Sequence, residues 1–336
     1  MRVLALLTAY PPTHCAGSEV MVHAMLRPLV ARGHTVDVVL TRDRGNPYDL
    51  DGVHVHPRID RRDPLRHSAT ADVIIGHLEN APRATALGHV NMVPSVQVCH
   101  NTNRHTDSYV RAGADLFVFN SEHMAARYRS HRARSIIVRP PVDPIEYETT
   151  PGDRVTLVNL CQDKGAETFY ALAERFPSAP FLGVEGAYGA QIHDILPNVE
   201  IIPHVPADRM RDEVYARTRV LLMPSAHESW GRAGVEAMCS GIPVIAAPTD
   251  GLREALGDAG HFADPDDVDA WEAHLRLLLD GRRWRAACRK AKTRARELDP
   301  APDLARWVTE IETLGEVGRR ARLARDCRRS SSPARA

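Results

Sequence analysis

Short apolar runs alternate with amphipathic stretches along most of the chain. Each run has four to seven residues and ends at glycine, proline or polar residues, whereas the stretches between them carry apolar residues at helical spacing. This alternation predicts parallel strands connected by helices. The predicted strands of the first half are residues 2–8, 35–40, 53–57, 72–76, 95–99, 115–119 and 135–138.

A second series of strands and helices follows a proline-rich segment at 139–144 and a polar stretch at 145–153. The predicted strands of this series are residues 155–160, 200–205, 220–223 and 244–247, and residues 181–186 are predicted as a strand with its turn. We therefore predict an α/β chain with two doubly wound parallel-sheet domains, residues 1–144 and 145–300. Helices are expected at 268–280, 282–297 and 303–315. The arginine-rich residues 319–336 are expected to be a disordered tail, or else to make weak contact with an acidic membrane surface.

Composition excludes several classes of protein. The 336 residues carry 43 basic and 43 acidic side chains, so the overall charge gives no reason to expect nucleic acid as a partner. No apolar run is long enough to span a membrane, and the N-terminal run is too short for a signal peptide, so we expect a cytoplasmic protein. The six cysteines lack paired spacing, which argues against a disulfide framework and against a cysteine zinc site.

Candidate chemistry concentrates after the predicted strand 220–223. A loop containing Glu228 precedes a helix expected to begin near Arg232, and Gly241 with Pro243 marks the end of that helix. Glu236 stands eight residues after Glu228, inside the helix. The backbone N–H groups at the helix start, residues 230–233, form a ready anion site. Together these groups suit a ligand with a phosphate and a hydroxyl-rich part, such as a nucleotide sugar.

The stretch from Glu228 to Val244 resembles the E-x7-E signature of the retaining glycosyltransferases of family 4, which have the GT-B fold. The resemblance implies two Rossmann-like domains facing a central cleft. Residues 1–144 would bind the acceptor and 145–300 a UDP- or GDP-sugar, and a helix at 301–318 would cross back to the first domain. It also implies a hexosyltransferase that needs no metal and no cofactor beyond its substrates.

The resemblance further assigns roles to individual residues. Glu228 would hold the hydroxyls of the donor sugar, Glu236 the ribose, and Lys164, one of only three lysines, the diphosphate. His100, after a predicted strand, would stand near the donor sugar and the acceptor, and Gly17 would let substrate approach the backbone. The resulting candidates are catalytic His100, Lys164 and Glu228, and donor-binding Gly17, Asn159, Lys164, Gly186, Val205, Glu228, Ser229, Trp230, Gly231, Arg232, Ala233 and Glu236.

One position departs from the family pattern. The family carries an Arg shortly before the residue that matches Lys164, whereas this chain has Asn159 nearby and no Arg in that loop. Arg232 replaces a Leu common at that point of the motif. We therefore hypothesise that Arg232 supplies the missing positive charge to the diphosphate.

Two further patterns could indicate metal ions. Asp49-Leu50-Asp51 is formally the D-x-D of other glycosyltransferases, but Asp51-Gly52 is better explained as a turn. His54 and His56 share one face of a strand, where a partly exposed sheet edge explains them better than a zinc pair. We therefore predict no metal site.

Other functions remain open on the sequence alone. A GT-B nucleotide-sugar epimerase, a sugar phosphorylase or a non-catalytic nucleotide-sugar-binding partner would share these motifs. The acceptor, expected to bind loops 9–16, 41–52, 58–70 and 101–110, could be a polysaccharide, a lipid-linked sugar or a secondary metabolite.

Overall fold

The computed structural model describes residues 1–13, 16–101, 104–131 and 134–330. The chain divides into two compact units: the first contains residues 1–13, Ser18–Pro141 and 301–330, and the second contains residues 16–17 and Val142–Pro300. Each unit is built on one twisted sheet with helices on both faces. The expected α/β fold class, two Rossmann-like parallel-sheet units of the GT-B type, is confirmed.

The first unit has an eight-stranded sheet in the order β3-β4-β2-β1-β5-β6-β7-β8. All neighbouring strands are parallel except β3, which pairs antiparallel with β4. Alternate residues of β1 pack into separate cores on the two faces of the sheet, as expected for a strand covered on both sides. The strands are β1 Arg2–Leu7, β2 Thr35–Leu40, β3 Tyr48–Leu50, β4 Val53–His56, β5 Val73–His77, β6 Ser95–Cys99, β7 Leu116–Phe119 and β8 Ser135–Ile137.

Among the described residues, six α-helices complete this unit. They are α1 Gly17–Ala31, α2 Asp63–Ser68, α3 Ala81–Asn91, α4 Arg104–Arg111, α5 Glu122–Arg127 and, from the end of the chain, α13 Ala301–Ser330. Helix α13 belongs to the core of this unit, because the Trp307 side chain is 1% exposed and its indole N–H donates to the Met25 carbonyl oxygen at 2.7 Å.

The expectation of a disordered tail from residue 319 is wrong for residues 319–330, which continue α13. Their arginines are not simply solvated: Arg322 binds the buried carboxylate of Asp72 at 2.9 Å, and Arg325 donates to the carbonyl oxygens of Asn91 and Ala69. These specific acceptors hold the helix on the sheet. Residues 331–336 lie outside the described residues, and contact with a membrane stays a prediction.

The second unit has a six-stranded, fully parallel sheet in the order β11-β10-β9-β12-β13-β14. The strand order reverses between the central neighbours β9 and β12, and ligands of open α/β sheets bind at such a reversal, beyond the carboxyl ends of the strands. The strands are β9 Arg154–Val158, β10 Phe181–Val184, β11 Val199–Ile202, β12 Thr218–Met223, β13 Val244–Ala246 and β14 Gly260–Phe262.

Helices cover both faces of this sheet and match the predicted ones closely at 268–297. They are α6 Pro144–Tyr147, α7 Ala166–Arg175, α8 Met210–Glu213, α9 Arg232–Cys239, α10 Asp250–Leu256, α11 Val268–Leu279 and α12 Gly281–Glu297. Within the described ranges, no helix is both long enough and apolar enough to cross a membrane. The described cysteines are free thiols, and Cys15 lies outside the described residues.

Candidate active site

Lys164 and Glu228 form an ion pair at the strand-order reversal of the second unit. Lys164 follows β9 and Glu228 follows β12, and the Lys164 ammonium contacts a carboxylate oxygen of Glu228. Both side chains are largely shielded from solvent, with 19% and 16% of their surface exposed. The structure thus brings together two of the three predicted catalytic residues.

Two tight contacts between the loops position this pair. Gly165 has φ +80°, and a Cβ there would lie 2.4 Å from the Pro224 ring, so only glycine fits. The Ala226 amide N–H also donates to the Asp163 carbonyl oxygen at 3.1 Å. The residues on either side of Lys164 are therefore fastened to the loop that carries Glu228.

The charge state of Lys164 follows from this environment. Burial disfavours the ammonium, but the adjacent Glu228 carboxylate outweighs burial and raises the pKa of Lys164. The Lys164 ammonium is therefore charged at neutral pH. A negatively charged ligand that reached Lys164 would compete with Glu228 for the ammonium, which would release Glu228 for hydroxyl groups.

Helix α9 begins at Arg232, as predicted, and presents its first turn beside Glu228. Its N-cap residue is Gly231 with φ +95°, where a Cβ would lie 2.4 Å from Leu252. The N-cap glycine has no side chain with which to cap this helix start, and the helix dipole at the first turn, which includes Ala233, favours an anion there. The Ser229 backbone is held closely by α10, because a Cβ on Gly251 would lie 2.3 Å from the Ser229 carbonyl carbon.

Trp230, predicted to bind the donor, has a buried side chain in the hydrophobic core of the second unit, with 2% of its surface exposed. Any contact of Trp230 with a ligand would therefore be made through its backbone. Val205, 7% exposed, packs in the same core and follows β11, which ends at Ile202 rather than at residue 205 as predicted.

Glu236 is bound on both carboxylate oxygens. Its Oε1 accepts from Arg232 Nε at 2.5 Å, and its Oε2 accepts from the Tyr215 hydroxyl at 2.6 Å. Arg232 Nη2 donates to the Tyr147 hydroxyl oxygen at 3.0 Å. The Glu236 residue is only 6% exposed, so these four side chains form a buried polar network.

The network determines the protonation states of Tyr215 and Arg232. Burial and the Glu236 carboxylate raise the pKa of Tyr215 well above its ordinary value, so its hydroxyl remains a donor. Although burial opposes the charge of Arg232, the Glu236 carboxylate and Tyr147 raise its pKa, and the guanidinium stays charged. Arg232 is thus committed to Glu236 and Tyr147 in this structure.

Asn159 and Gly186 lie in contact at the carboxyl ends of β9 and β10. Asn159 has φ +72°, and a Cβ on Gly186 would fall 2.0 Å from Asn159 Cγ. Gln191 joins them: its Nε2 donates to Asn159 Oδ1 at 3.0 Å, and its Oε1 accepts from the Gly186 and Leu160 amides at 2.9 Å. Asn159 therefore shapes the loop before Lys164 through its side chain.

His100 lies directly after β6 in the first unit and stacks on His77, the last residue of the neighbouring strand β5. The ring centroids are 4.7 Å apart, and His77 Nε2 lies 3.1 Å from His100 Nδ1. Burial lowers the pKa of His100 to about 4, and burial with the neighbouring His100 ring lowers that of His77 well below its ordinary value. Both imidazoles are therefore neutral at neutral pH.

Gly17 is the first residue of α1 and is exposed. A methyl group added there would meet no atom within 4 Å. Packing within the protein therefore does not require glycine at this position.

Three polar side chains of the second unit were not predicted from the sequence: Tyr147, Tyr215 and Gln191. Tyr147 lies in the short α6, Tyr215 follows α8, and Gln191 lies in a loop between β10 and β11. None belongs to a local motif. Their roles depend on contacts with residues 21 to 85 positions away in sequence, which no spacing rule reports.

Comparison with known proteins assigns part of the chain to a family. Residues 188–297, which include β12, Glu228 and α9, match the model of the family described as glycosyl transferases group 1. The same region contains the E-x7-E signature.

Two curated relatives are similar over parts of the chain. O-antigen chain mannosyltransferase B of Escherichia coli is 39% identical over 87 residues, 26% of this chain and 23% of the relative. D-inositol 3-phosphate glycosyltransferase of Kineococcus radiotolerans is 32% identical over 236 residues, 67% of this chain and 48% of the relative. The matches thus span less than half the length of these relatives.

Solved structures match over nearly the whole chain. The Anabaena protein HepE in complex with UDP-glucose has a TM-score of 0.74 at 16% identity, covering 93% of this chain and all of that one. Sucrose-phosphate synthase from Thermosynechococcus elongatus has a TM-score of 0.71 at 16% identity, and the match covers 98% of this chain and 100% of that one. The chain therefore has the GT-B fold, and its residues 188–297 match the group 1 glycosyltransferase family model.

Proposed function

We propose that the protein is a hexosyltransferase that moves a sugar from a nucleoside-diphosphate sugar to a hydroxyl group, with retention at the anomeric carbon. The observation that carries the proposal is the Lys164–Glu228 pair at the strand-order reversal, beside the start of α9. A cation and a helix start suit a diphosphate, and a carboxylate suits sugar hydroxyls. The group 1 family match over residues 188–297, which include Glu228 and α9, supports this proposal.

In the proposed mechanism, Lys164 and the first-turn N–H groups of α9 bind the diphosphate. They offset the negative charge that develops on the leaving group, so no divalent metal is needed there. The donor phosphate replaces Glu228 as the partner of the Lys164 ammonium, and the released Glu228 carboxylate then binds the sugar hydroxyls. Gly186 and Val205 contribute backbone around the nucleotide, and Ser229 and Trp230 contribute backbone beside the phosphates.

We further propose that Glu236 binds the ribose and that Arg232 holds it in place. Arg232 and Tyr215 each occupy one oxygen of this carboxylate. The alternative is that Arg232 binds the diphosphate directly. Comparing the binding of nucleotides with that of nucleosides distinguishes these two roles of Arg232. Neutral His100 of the first unit, and Gly17 at the start of α1, would contact the acceptor.

The donor is identified by thermal shift with UDP, GDP, their glucose and mannose conjugates, and free uridine and guanosine. A ligand that binds only the native state raises the melting temperature. UDP-glucose is the first choice, because the similar HepE structure is described in complex with it. Chelation with EDTA should leave donor binding unchanged.

Turnover is then measured with the best donor and a panel of hydroxyl acceptors. Retention is read from the anomeric proton coupling of the product by NMR. Inversion at the anomeric carbon would contradict the proposed mechanism. Release of no nucleoside diphosphate with any acceptor, or with water, would favour a non-catalytic binding protein, and an isomerised nucleotide sugar would favour an epimerase.

A further inference from the structure

Three ligand-type side chains from three elements of the first unit converge on one point. Asp37 lies within β2, His56 ends β4, and His67 lies in α2. Their nearest ligand atoms, one from each side chain, lie within 4.8 Å of one another. Among the residues that the structure describes, no other three His, Cys, Asp or Glu side chains converge in this way.

The individual distances show how close the three groups are. His56 Nε2 lies 2.7 Å from Asp37 Oδ1, and the His56 and His67 ring centroids are 4.4 Å apart with the planes tilted by 45°. The Asp37 and His56 side chains keep 27% and 29% of their surface exposed, and His67 is half-buried. The point between them is therefore accessible from solvent.

The hydrogen bonding of this cluster is incomplete. The His56–Asp37 bond uses one imidazole nitrogen and one carboxylate oxygen. Within the described residues the His67 ring makes no hydrogen bond, although it packs beside another imidazole and a carboxylate. If the cluster served only as a structural His56–Asp37 hydrogen bond, a third ligand-type side chain, His67, would not be needed beside it.

Two imidazoles and one carboxylate form a donor set typical of zinc. Zn²⁺ binds His nitrogen and Asp oxygen at about 2.0–2.2 Å, and sites with three protein ligands keep a fourth position for water. Mg²⁺ and Ca²⁺ prefer sites made wholly of oxygen ligands. Side-chain rotations alone can bring the three ligand atoms to one ion, because they already lie within 4.8 Å of one another.

We propose that Asp37, His56 and His67 form a Zn²⁺ site of the first unit, with a water molecule as the fourth ligand. The ion would fasten α2 to strands β2 and β4 and would neutralise the carboxylate of Asp37. This inference does not depend on the proposed transferase activity. Its readouts are metal binding and stability, so its failure would leave the proposed function untouched.

The test is calorimetric titration of the full chain with ZnCl₂, after removal of metal by chelation. All proteins carry Cys327→Ser, because the Cys327 thiol is exposed and could bind zinc by itself. We expect one Zn²⁺ per chain, no binding of Mg²⁺, and a higher melting temperature with zinc. Asp37→Asn, His56→Gln and His67→Gln should each weaken zinc binding by at least roughly 10–100-fold, a loss seen even when a residue that only supports a metal ligand is replaced.

His54→Gln is the matched control. His54 lies on the same strand and the same face as His56 but pairs with Asp49, so its replacement should leave zinc binding unchanged. Far-UV circular dichroism checks that each variant is folded, and any two of the three ligand variants suffice. The proposal is overturned if the parent binds no zinc, or if the folded ligand variants bind it as tightly as the parent.

Discussion

Arg232 and Glu236 are joined one helical turn apart in α9, with Arg232 Nε 2.5 Å from Glu236 Oε1, and both side chains are about nine-tenths buried. A buried ion pair adds little to the free energy of unfolding by its own attraction, but removing one partner is costly because the other charge is left buried and unpaired. Removal of the guanidinium leaves the Tyr215 hydroxyl as the donor to the Glu236 carboxylate within this network. The pair therefore governs where the Glu236 carboxylate points.

Replacing Arg232 by Leu should lower the free energy of unfolding by roughly 3–5 kcal/mol, the cost of leaving one buried charge unpaired. Urea unfolding measures this change. Arg232→Leu combined with Glu236→Leu should recover part of the loss, because both charges are then absent. An additive double variant would show that the two side chains are not energetically coupled.

A second substitution at the same position distinguishes the two roles proposed for Arg232. If Arg232 acts by holding Glu236, then Arg232→Lys should weaken binding of uridine and UDP by the same factor. A phosphate clamp would instead weaken UDP alone. Isothermal titration with the two ligands measures both factors, and a selective loss of UDP would contradict the positioning role.

Replacing Lys164 by Met should reduce kcat by roughly 10²–10³, the usual cost of losing one group that stabilises developing charge. The contact with Glu228 is lost at the same time. Steady-state kinetics with the donor identified above measure the effect. Lys290→Met is the matched control, because Lys290 is exposed on α12, and equal kinetics of the two variants would argue against a role for Lys164.

Replacing Gly186 by Ala should destabilise the protein by about 1–3 kcal/mol, since the added methyl group would overlap Asn159. Asn159→Gly should relieve this overlap, because it removes the side chain that the methyl group would meet. Glycine also accepts the φ of +72° at that position. Gly17→Ala serves as control: no atom lies within 4 Å of the new methyl group, so stability should stay within about 0.5 kcal/mol. Loss of activity in Gly17→Ala without loss of stability would place substrate at Gly17.

Stability should fall in acid because of the His77–His100 pair. The folded pKa of His100 is about 4 and the ordinary value is 6.5, so between these pH values the unfolded chain binds protons that the folded chain does not. The contribution of a neutral His100 is complete above about pH 6.5 and is lost progressively as the pH falls toward 4. His100→Gln should make the decline in melting temperature between pH 7 and 4.5 shallower, whereas His89→Gln, on the exposed side of α3, should not. Equal slopes would contradict this assignment.

Local sequence pattern predicted the backbone of the site well. Apolar runs marked the central strands, and glycine with proline marked the C-terminal end of α9, because these signals depend on neighbouring residues alone. The antiparallel edge strand β3 and the edge strand β14 were missed. Each has three residues and pairs on one side only, so neither needs a long apolar run.

Side-chain partnerships were less accessible to prediction. Glu236 was expected to bind a ligand, but its partner Tyr215, and the Tyr147 that binds its other partner Arg232, come from separate elements far away in sequence. The clustering of His67 with His56 and Asp37 likewise depends on how α2 packs on the sheet. Such contacts require the tertiary structure.

Helix α13 makes the first unit discontinuous in sequence, since its core needs both the strands before residue 141 and Trp307. During synthesis, the ribosome therefore completes the whole second unit before it supplies the last helix of the first. Until then, the surface that receives Trp307, formed by α1 and β1, stays uncovered. The second unit can fold while it emerges, whereas the first becomes complete only after translation has passed residue 307, so early termination would spare one unit and leave the other unfinished.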